Sequence, residues 1–173
     1  MTQPKYALMQ IPDGVEGIRA TLKLMSAITS KYKASQFSRE LALKILRDAN
    51  VPQYNAAGKK NWTGQIKAIH NWVKNKIQYV KDVHGVETVQ TPPQTYRLQH
   101  GDCDDKSVLA ATLLMAIGHP ARFVAIGFQP DIYCHVFPQT KIAGKWVTVE
   151  CTENWPLGKS PKNPKAVMIQ DIK

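Results

Sequence analysis

The stretch GDCDDKSVLAATLLMAIGHPARFVAIGF, residues 101–128, contains the strongest structural signals in the chain. Its first half predicts a helix with Asp102 as a good N-cap and Asp105 three residues later, in the capping-box position. Gly118 and Pro120 end this helix. Between the two ends there is almost no polar face, and a helix that is apolar all round is central and buried.

Three β-rich segments follow the buried helix. Residues 121–128 are bounded by prolines, and residues 133–137 and 145–152 flank a turn at Ala143-Gly144. We therefore expect the helix to pack on an antiparallel sheet.

Three amphipathic helices are predicted upstream, because apolar residues recur there every three or four positions. The three rows are Val15, Ile18, Leu22, Met25, Ile28 and Tyr32; Leu41, Ile45 and Ala49; and Trp62, Ile66, Ile69, Val73 and Ile77. Ser38 is a candidate N-cap for the second helix. Residues 82–98 show no sustained periodicity, so we expect a long loop there, and such loops are often functional.

Together these segments predict an α+β fold, with N-terminal helices followed by the buried helix on an antiparallel sheet. A chain of 173 residues with 43% hydrophobic residues fills one core. We expect a basic helical segment over residues 1–60 and the core over 61–173, in one compact unit. The longest apolar stretch, residues 109–118, is about half of what a bilayer crossing needs, and the first ten residues lack the apolar run of a secretory signal.

The net charge of +10 is concentrated in the first part of the chain. Residues 1–100 carry 15 Lys and Arg against 6 Asp and Glu, whereas residues 101–173 carry 8 against 7. A basic face is typical of contact with nucleic acid, an anionic wall polymer or an acidic protein. No zinc finger, aromatic RNA motif or phosphate loop accompanies it, so a solvated face is the simpler interpretation.

Reactive chemistry is predicted at the start of the buried helix. Cys103 lies in the first turn, where free backbone N–H groups and the helix dipole favour a thiolate. Asp104 and Asp105 oppose this effect with negative charge, so the thiol needs a nearby base. His135, on a predicted strand, is the candidate base, and Glu150, near the end of the next strand, is placed to orient the ring.

Each of these three residues, taken alone, is more often structural than catalytic. Free cysteines are among the most buried residues, a lone strand histidine is usually a satisfied polar group, and a strand glutamate usually faces solvent. Their joint arrangement is more informative. A Cys at a helix start, then a strand His, then an acid is what a thiol triad requires.

Several motifs resemble the transglutaminase-like superfamily, which has a papain-related fold. They are residues 101–128 quoted above, CHVF at 134–137, KWVTVECT at 145–152 and IHNWVKNKIQYVKD at 69–82. By position, the resemblance implies Cys103 as nucleophile, His135 as base and Glu150, in place of the family's usual Asp, as the orienting acid. IPDG at 11–14 and VETVQTP at 86–92 are most similar to small members encoded among phage and prophage virion genes.

The first function that follows is a cysteine-dependent amide hydrolase. Cys103 attacks an amide carbonyl, a thioester forms, and water resolves it; an amine would resolve it by transamidation, but nothing in the sequence marks an amine site. Peptide, protein or cell-wall peptide amides are the expected substrates. The oxyanion is expected at the Cys103 backbone N–H and an upstream donor, for which Gln99 is the candidate, with Asp102 beside it.

The second function is a virion structural or assembly protein, of the tail or head–tail region, that keeps the fold with weak or no catalysis. Its basic half would then bind other virion proteins. The resemblance places synthesis in the cytoplasm of a bacterial host, followed by assembly into the virion.

A zinc site at Cys134, His135, Cys151 and another His is a poorer alternative, because adjacent strand residues point to opposite faces. We expect neither a metal nor a cofactor. If His135 faced Glu150 directly, the same register would set Cys134 opposite Cys151 on the other face of the sheet, and we expect those two as buried thiols.

Overall fold

The structure is a computed structural model, and it describes residues 12–82 and 88–173. The elements are α1 (Gly14–Tyr32), α2 (Gln36–Asp48), α3 (Trp62–Lys76), β1 (Gln78–Tyr79), α4 (Pro92–Leu98), β2 (His100–Gly101), α5 (Cys103–Ala116), β3 (Ala121–Gly127), β4 (His135–Ile142), β5 (Lys145–Thr148) and β6 (Ala166–Asp171). The predicted α+β class is confirmed. The segment tested for a secretory signal and parts of the IPDG and VETVQTP motifs lie outside the described residues.

Helix α5 is the centre of the fold, as its composition predicts. Every residue from Asp104 to Leu114 is buried. One apolar cluster joins α5 to α2 and α3, and a second joins it to α1, β3 and β4. The capping box is present: the Asp102 carboxylate accepts the N–H groups of Asp104 and Asp105, and the Asp105 carboxylate accepts that of Asp102.

The main sheet is antiparallel, with strand order β5-β4-β3-β6. Strands β4 and β5 form a hairpin through Ala143 and Gly144, which both have positive φ, as a tight two-residue turn requires. Strands β1 and β2 form a separate parallel pair that holds the chain before α4 against the chain before α5. This pair brings Tyr79 level with Gly101, two residues from Cys103.

Three predictions about secondary structure need correction. Residues 82–98 are not one long loop, because α4 occupies Pro92–Leu98; its prolines lie in the first turn, where their missing N–H groups cost nothing. Ser35, not Ser38, caps α2, since its hydroxyl accepts the Ser38 N–H at 3.2 Å. The edge strand β6 is not predicted at all from the sequence.

Helices α1 and α2 share the apolar clusters of α5. The division proposed between residues 1–60 and 61–173 stays a prediction. None of the helices in the described part of the chain has both the length and the apolar character needed to cross a bilayer.

The turn from β3 to β4, which delivers His135, requires a close approach at Gly127. A Cβ at this position would lie 1.6 Å from the carbonyl oxygen of Ile132. We expect Gly127→Ala to lower the free energy of unfolding by about 3 kcal/mol, because the turn backbone must shift. The measurement is urea unfolding followed by circular dichroism.

Gly58→Ala is the matched control for this substitution. Gly58 has φ +71° and no atom within 4 Å of an added Cβ, so only its backbone conformation opposes alanine, at about 1 kcal/mol. Equal losses in the two variants would contradict the steric argument at Gly127.

Candidate active site

Cys103 is the first residue of α5, and its position is set by the turn before it. At Gly101 an added Cβ would lie 2.6 Å from the Cβ of Asp105, so only glycine lets the chain pass this close to the helix. The Asp102–Asp105 capping box then fixes the start of the helix, and with it the cysteine. The Cys103 side chain is half-buried.

The surroundings of the sulfur favour the protonated thiol. Burial raises the pKa of Cys103, and the carboxylates of Asp104 and Asp102 raise it further, whereas the Val136 N–H, which donates to the sulfur, lowers it. The Sγ lies 3.5 Å from Asp104 Oδ1. The helix terminus alone would favour a thiolate, but burial and two carboxylates outweigh it, so the resting group is a thiol.

The prediction that Asp105 is the second charge opposing the thiolate is wrong, because Asp102 has that role. Asp105 is fully buried and accepts the N–H groups of Gln90, at 2.7 Å, and of Asp102, at 3.3 Å. Burial raises the pKa of Asp105 to about 7, although these two hydrogen bonds act in the opposite direction. Its carboxyl therefore anchors the chain on either side of α4.

His135 and Glu150 are hydrogen-bonded. His135 Nε2 lies 2.7 Å from Glu150 Oε2, and the glutamate is fully buried. The other carboxylate oxygen, Oε1, accepts the N–H groups of Thr152 at 2.7 Å and Glu153 at 3.3 Å. Burial by itself raises the pKa of Glu150, but the hydrogen bond and charge of His135 and the two backbone N–H groups outweigh it, so the pKa is lowered.

The pairing of His135 with Glu150 is diagonal rather than direct. Strands β4 and β5 pair in the register that their two-residue turn sets, with Gln139 opposite Thr148. If this register is continued beyond the paired residues, Glu150 comes opposite Phe137 rather than His135. A diagonal neighbour remains within reach of long side chains. The expectation that the register buries Cys134 and Cys151 together is wrong, because Cys134 is exposed and Cys151 is buried.

Two buried groups that were not predicted from the sequence hold the acid segment and the end of α3. His70 of α3, fully buried, contacts the Glu150 carbonyl oxygen through Nε2 at 2.6 Å. Lys106 of α5, 2% exposed, donates to the carbonyl oxygens of Ile77, at 2.5 Å, and Lys74, at 3.4 Å, which terminate α3. Burial lowers the pKa of both groups. The sequence does contain one indication of the role of Lys106: it is a lysine inside an apolar helix, and a buried lysine requires hydrogen-bond partners.

A pocket of about 400 Å³ opens beside His135. It is lined by Tyr79, Ile126, Phe128, Cys134, His135, Thr152, Glu153, Trp155 and Pro161. Burial raises the pKa of Tyr79, and the nearby charges of Cys103 and Asp102 raise it further, so the phenol stays protonated and close to the cysteine. The pocket therefore presents an imidazole and a phenol, and the imidazole is hydrogen-bonded to the buried carboxylate of Glu150, whereas Cys103 is not among the residues that line it.

The two candidate oxyanion residues have other contacts. The Gln99 side chain is exposed and its amide donates to the Tyr96 carbonyl oxygen, while the Asp102 carboxylate caps α5. Their part in oxyanion binding stays a prediction. The potential metal-ligand atoms of Asp102, Cys103 and Asp104 lie within 4.8 Å of one another. Within residues 12–82 and 88–173, Cys134 and Cys151 of the zinc alternative belong to no such group of potential ligands.

Comparison with known families identifies the class of protein. The profile of the transglutaminase-like superfamily matches residues 49–151, more than half of the chain. The chain belongs to that superfamily. Comparison with curated proteins gave no match.

Solved structures with the same fold include a candidate protease from Parabacteroides distasonis, with 15% identity and a TM-score of 0.55 over 79% of this chain and 27% of the other. A candidate cysteine protease from Cytophaga hutchinsonii, with 18% identity, has a TM-score of 0.49 over 76% of this chain and 42% of the other. The structure of the Rad4–Rad23 complex bound to a UV lesion has a TM-score of 0.45, with 12% identity over 76% of this chain and 37% of the other. This chain thus spans less than half of each relative.

We expect Asp104→Asn, made in a Cys134→Ala background, to speed alkylation of Cys103 by iodoacetamide at pH 8. Removing one carboxylate lowers the pKa of the thiol, and a shift of one unit raises the thiolate fraction about tenfold. Quenched time points analysed by intact mass give the rate. Asp48→Asn, an exposed change on α2, is the control; a variant no faster than this control would show that Asp104 does not suppress the thiolate.

Proposed function

We propose that the protein is a cysteine-dependent amide hydrolase that acts on peptides through a thioester acyl-enzyme. The observation that carries this proposal is the 2.7 Å hydrogen bond between His135 and the buried carboxylate of Glu150. The sulfur of Cys103 accepts the N–H of Val136, the residue directly after His135. This contact, and the packing of Cys103 against the apolar cluster that contains Val136, support an approach of the nucleophile to the base.

The tautomer of His135 follows from its partner. An ionised carboxylate only accepts hydrogen bonds, so Nε2 carries the proton and Nδ1 holds the lone pair. Nδ1 takes the proton of the Cys103 thiol as the sulfur attacks the amide carbon, and the imidazolium that forms is stabilised by Glu150. The proton then passes to the leaving amine, the C–N bond breaks and the thioester remains. Water, deprotonated by the same ring, releases the acid and restores the thiol.

A thiol at rest makes the proton transfer by His135 part of the attack itself. Where a cysteine is already a thiolate, the histidine is needed chiefly for the leaving group. Here burial and two carboxylates keep the proton on sulfur. The negative charge at Asp102 and Asp104 also disfavours an anionic substrate group near the nucleophile, which favours a neutral amide.

Glutamate in place of the usual aspartate is compatible with the orienting role. Its longer side chain reaches His135 diagonally, and two backbone N–H groups fix the second oxygen. Hydrolysis is the simpler outcome, because no feature of the cleft marks an amine acceptor. The kinship with a candidate protease structure is consistent with peptide substrates. A place in a phage virion rests on the sequence resemblance alone.

We expect Cys103→Ala to abolish formation of an acyl-enzyme while leaving the fold intact, because Asp102 supplies the helix cap. The protein is treated with p-nitrophenyl acetate, and the acetyl adduct is located by intact mass and peptide mapping. Cys134→Ala removes an exposed thiol of the pocket beside His135 and is the matched control. An adduct of equal yield in Cys103→Ala would end the proposal.

We expect Glu150→Gln to reduce the rate of deacylation by about a hundredfold or more, the usual size of a general-base contribution. Glutamine retains the side-chain length but loses the charge that stabilises the imidazolium. Stopped-flow release of p-nitrophenol separates acylation from deacylation, and thermal unfolding measures stability. Glu40→Gln, the same change at an exposed position of α2 outside the pocket, is the control. Unchanged kinetics in Glu150→Gln would reduce the triad to a pair.

A further inference from the structure

We infer that the substrate is a polypeptide with an apolar side chain next to the scissile amide, and that it extends from the pocket across the outer face of the main sheet. This inference rests on the proposed function. It concerns the apolar side chains of the pocket wall and β6, none of which belongs to the triad.

The pocket walls are aromatic and accessible. Phe128 is 50% exposed and Tyr79 is 45% exposed, and both line the pocket that contains His135. Ile126 and Pro161 complete its apolar lining. Large apolar side chains left half-exposed in a concave site gain most when a ligand covers them. A side chain bound there would hold the adjacent amide beside His135.

Trp155 is a preformed wall of this pocket. Its carbonyl oxygen accepts a hydrogen bond from Lys74 Nζ at 3.1 Å, and Lys159 Nζ lies 4.4 Å from the centroid of its ring. The backbone of Trp155 is thus held by Lys74 and its ring is contacted by Lys159 before any ligand arrives, which reduces the entropy lost on binding. The lining includes one acid, Glu153, and the cation of Lys159 lies behind Trp155. These opposite charges favour neither a cationic nor an anionic side chain.

An apolar strip continues from the pocket over β6. Val167 pairs with Ile126 of the pocket wall, and Ile169 pairs with Val124. Residues directly opposite in a sheet share a face, so all four lie on the outer face, where Val124 and Ile126 form a cluster of their own with Phe137. Val167 and Ile169 are 51% and 50% exposed.

The length of the strip indicates a polypeptide rather than a small amide. The two exposed residues are two positions apart, or roughly 7 Å along β6. A ligand that fills the pocket and also covers Val167 and Ile169 must itself be several residues long. Ile126 itself is 2% exposed, so the exposed side chain of Val167, directly opposite it, continues the apolar surface from the pocket, and this adjacency assigns pocket and strip to one ligand.

The test is binding to the Cys103→Ala variant, in which no turnover occurs. Three fluorescent probes are used: a decapeptide with alternating Phe and Leu, the same decapeptide with Ser at those positions, and an acetyl-Phe-glycinamide. We expect the apolar decapeptide to bind at least about tenfold tighter than the Ser version, a ratio in the range one apolar side chain contributes. Phe128→Ala should weaken both apolar probes about tenfold.

The strip is tested separately from the pocket. Val167→Lys and Ile169→Lys should weaken the decapeptide and leave the acetyl-Phe-glycinamide unchanged. Leu43→Lys, on α2 with 49% exposure, is the matched control and should change neither. Thermal unfolding of each variant verifies the fold.

Equal binding of the Phe-Leu and Ser decapeptides, or no effect of Phe128→Ala, overturns the inference. Equal effects of the β6 variants and Leu43→Lys restrict the ligand to the pocket and overturn the polypeptide claim. These binding measurements do not depend on turnover. If Cys103 fails to acylate but apolar binding at Phe128 is intact, the proposed hydrolase function is overturned and the proposed binding surface is not.

Discussion

A carboxylate without any solvent exposure, that of Glu150, determines how the site is built. An ionised carboxyl in an apolar interior is strongly unfavourable unless hydrogen bonds and opposite charge compensate it. Here the imidazole of His135 and two backbone N–H groups surround its oxygens, and the buried ammonium of Lys106 adds a favourable charge nearby. Orientation of the histidine is therefore a requirement of folding as well as of chemistry.

Helix α5 and the hairpin could be predicted because their signals are local. The capping box at Asp102 and Asp105, the all-apolar helix and the turn at Ala143-Gly144 are each contained in a few consecutive residues. Such patterns report backbone preferences that tertiary contacts do not change. The family assignment followed from the same stretch.

The supporting residues could not be found in this way, because their roles are long-range. His70 contacts a carbonyl oxygen 80 positions away, and Lys106 lies 29 positions from Ile77, so no sequence pattern marks either contact. The cysteine pairing failed for a related reason. It assumed that two side chains which meet must be directly opposite, whereas Glu150 reaches His135 diagonally. In β6 the apolar residues Val167 and Ile169 alternate with partly buried positions, so neither face of the strand stood out.

The contact between His70 and Glu150 also has a consequence for how the molecule acquires reactivity. It closes a loop of 80 residues, and the entropy lost in bringing such distant positions together is compensated when the elements between them also pack. Until α3 docks, the acid segment lacks this anchor. A nascent or partly unfolded chain would thus carry Cys103 without an oriented base, although its thiol, free of the burial and the carboxylates that raise its pKa in the folded protein, would ionise more readily. The proposed chemistry, which needs the base and the nucleophile together, is in this way confined to the folded protein.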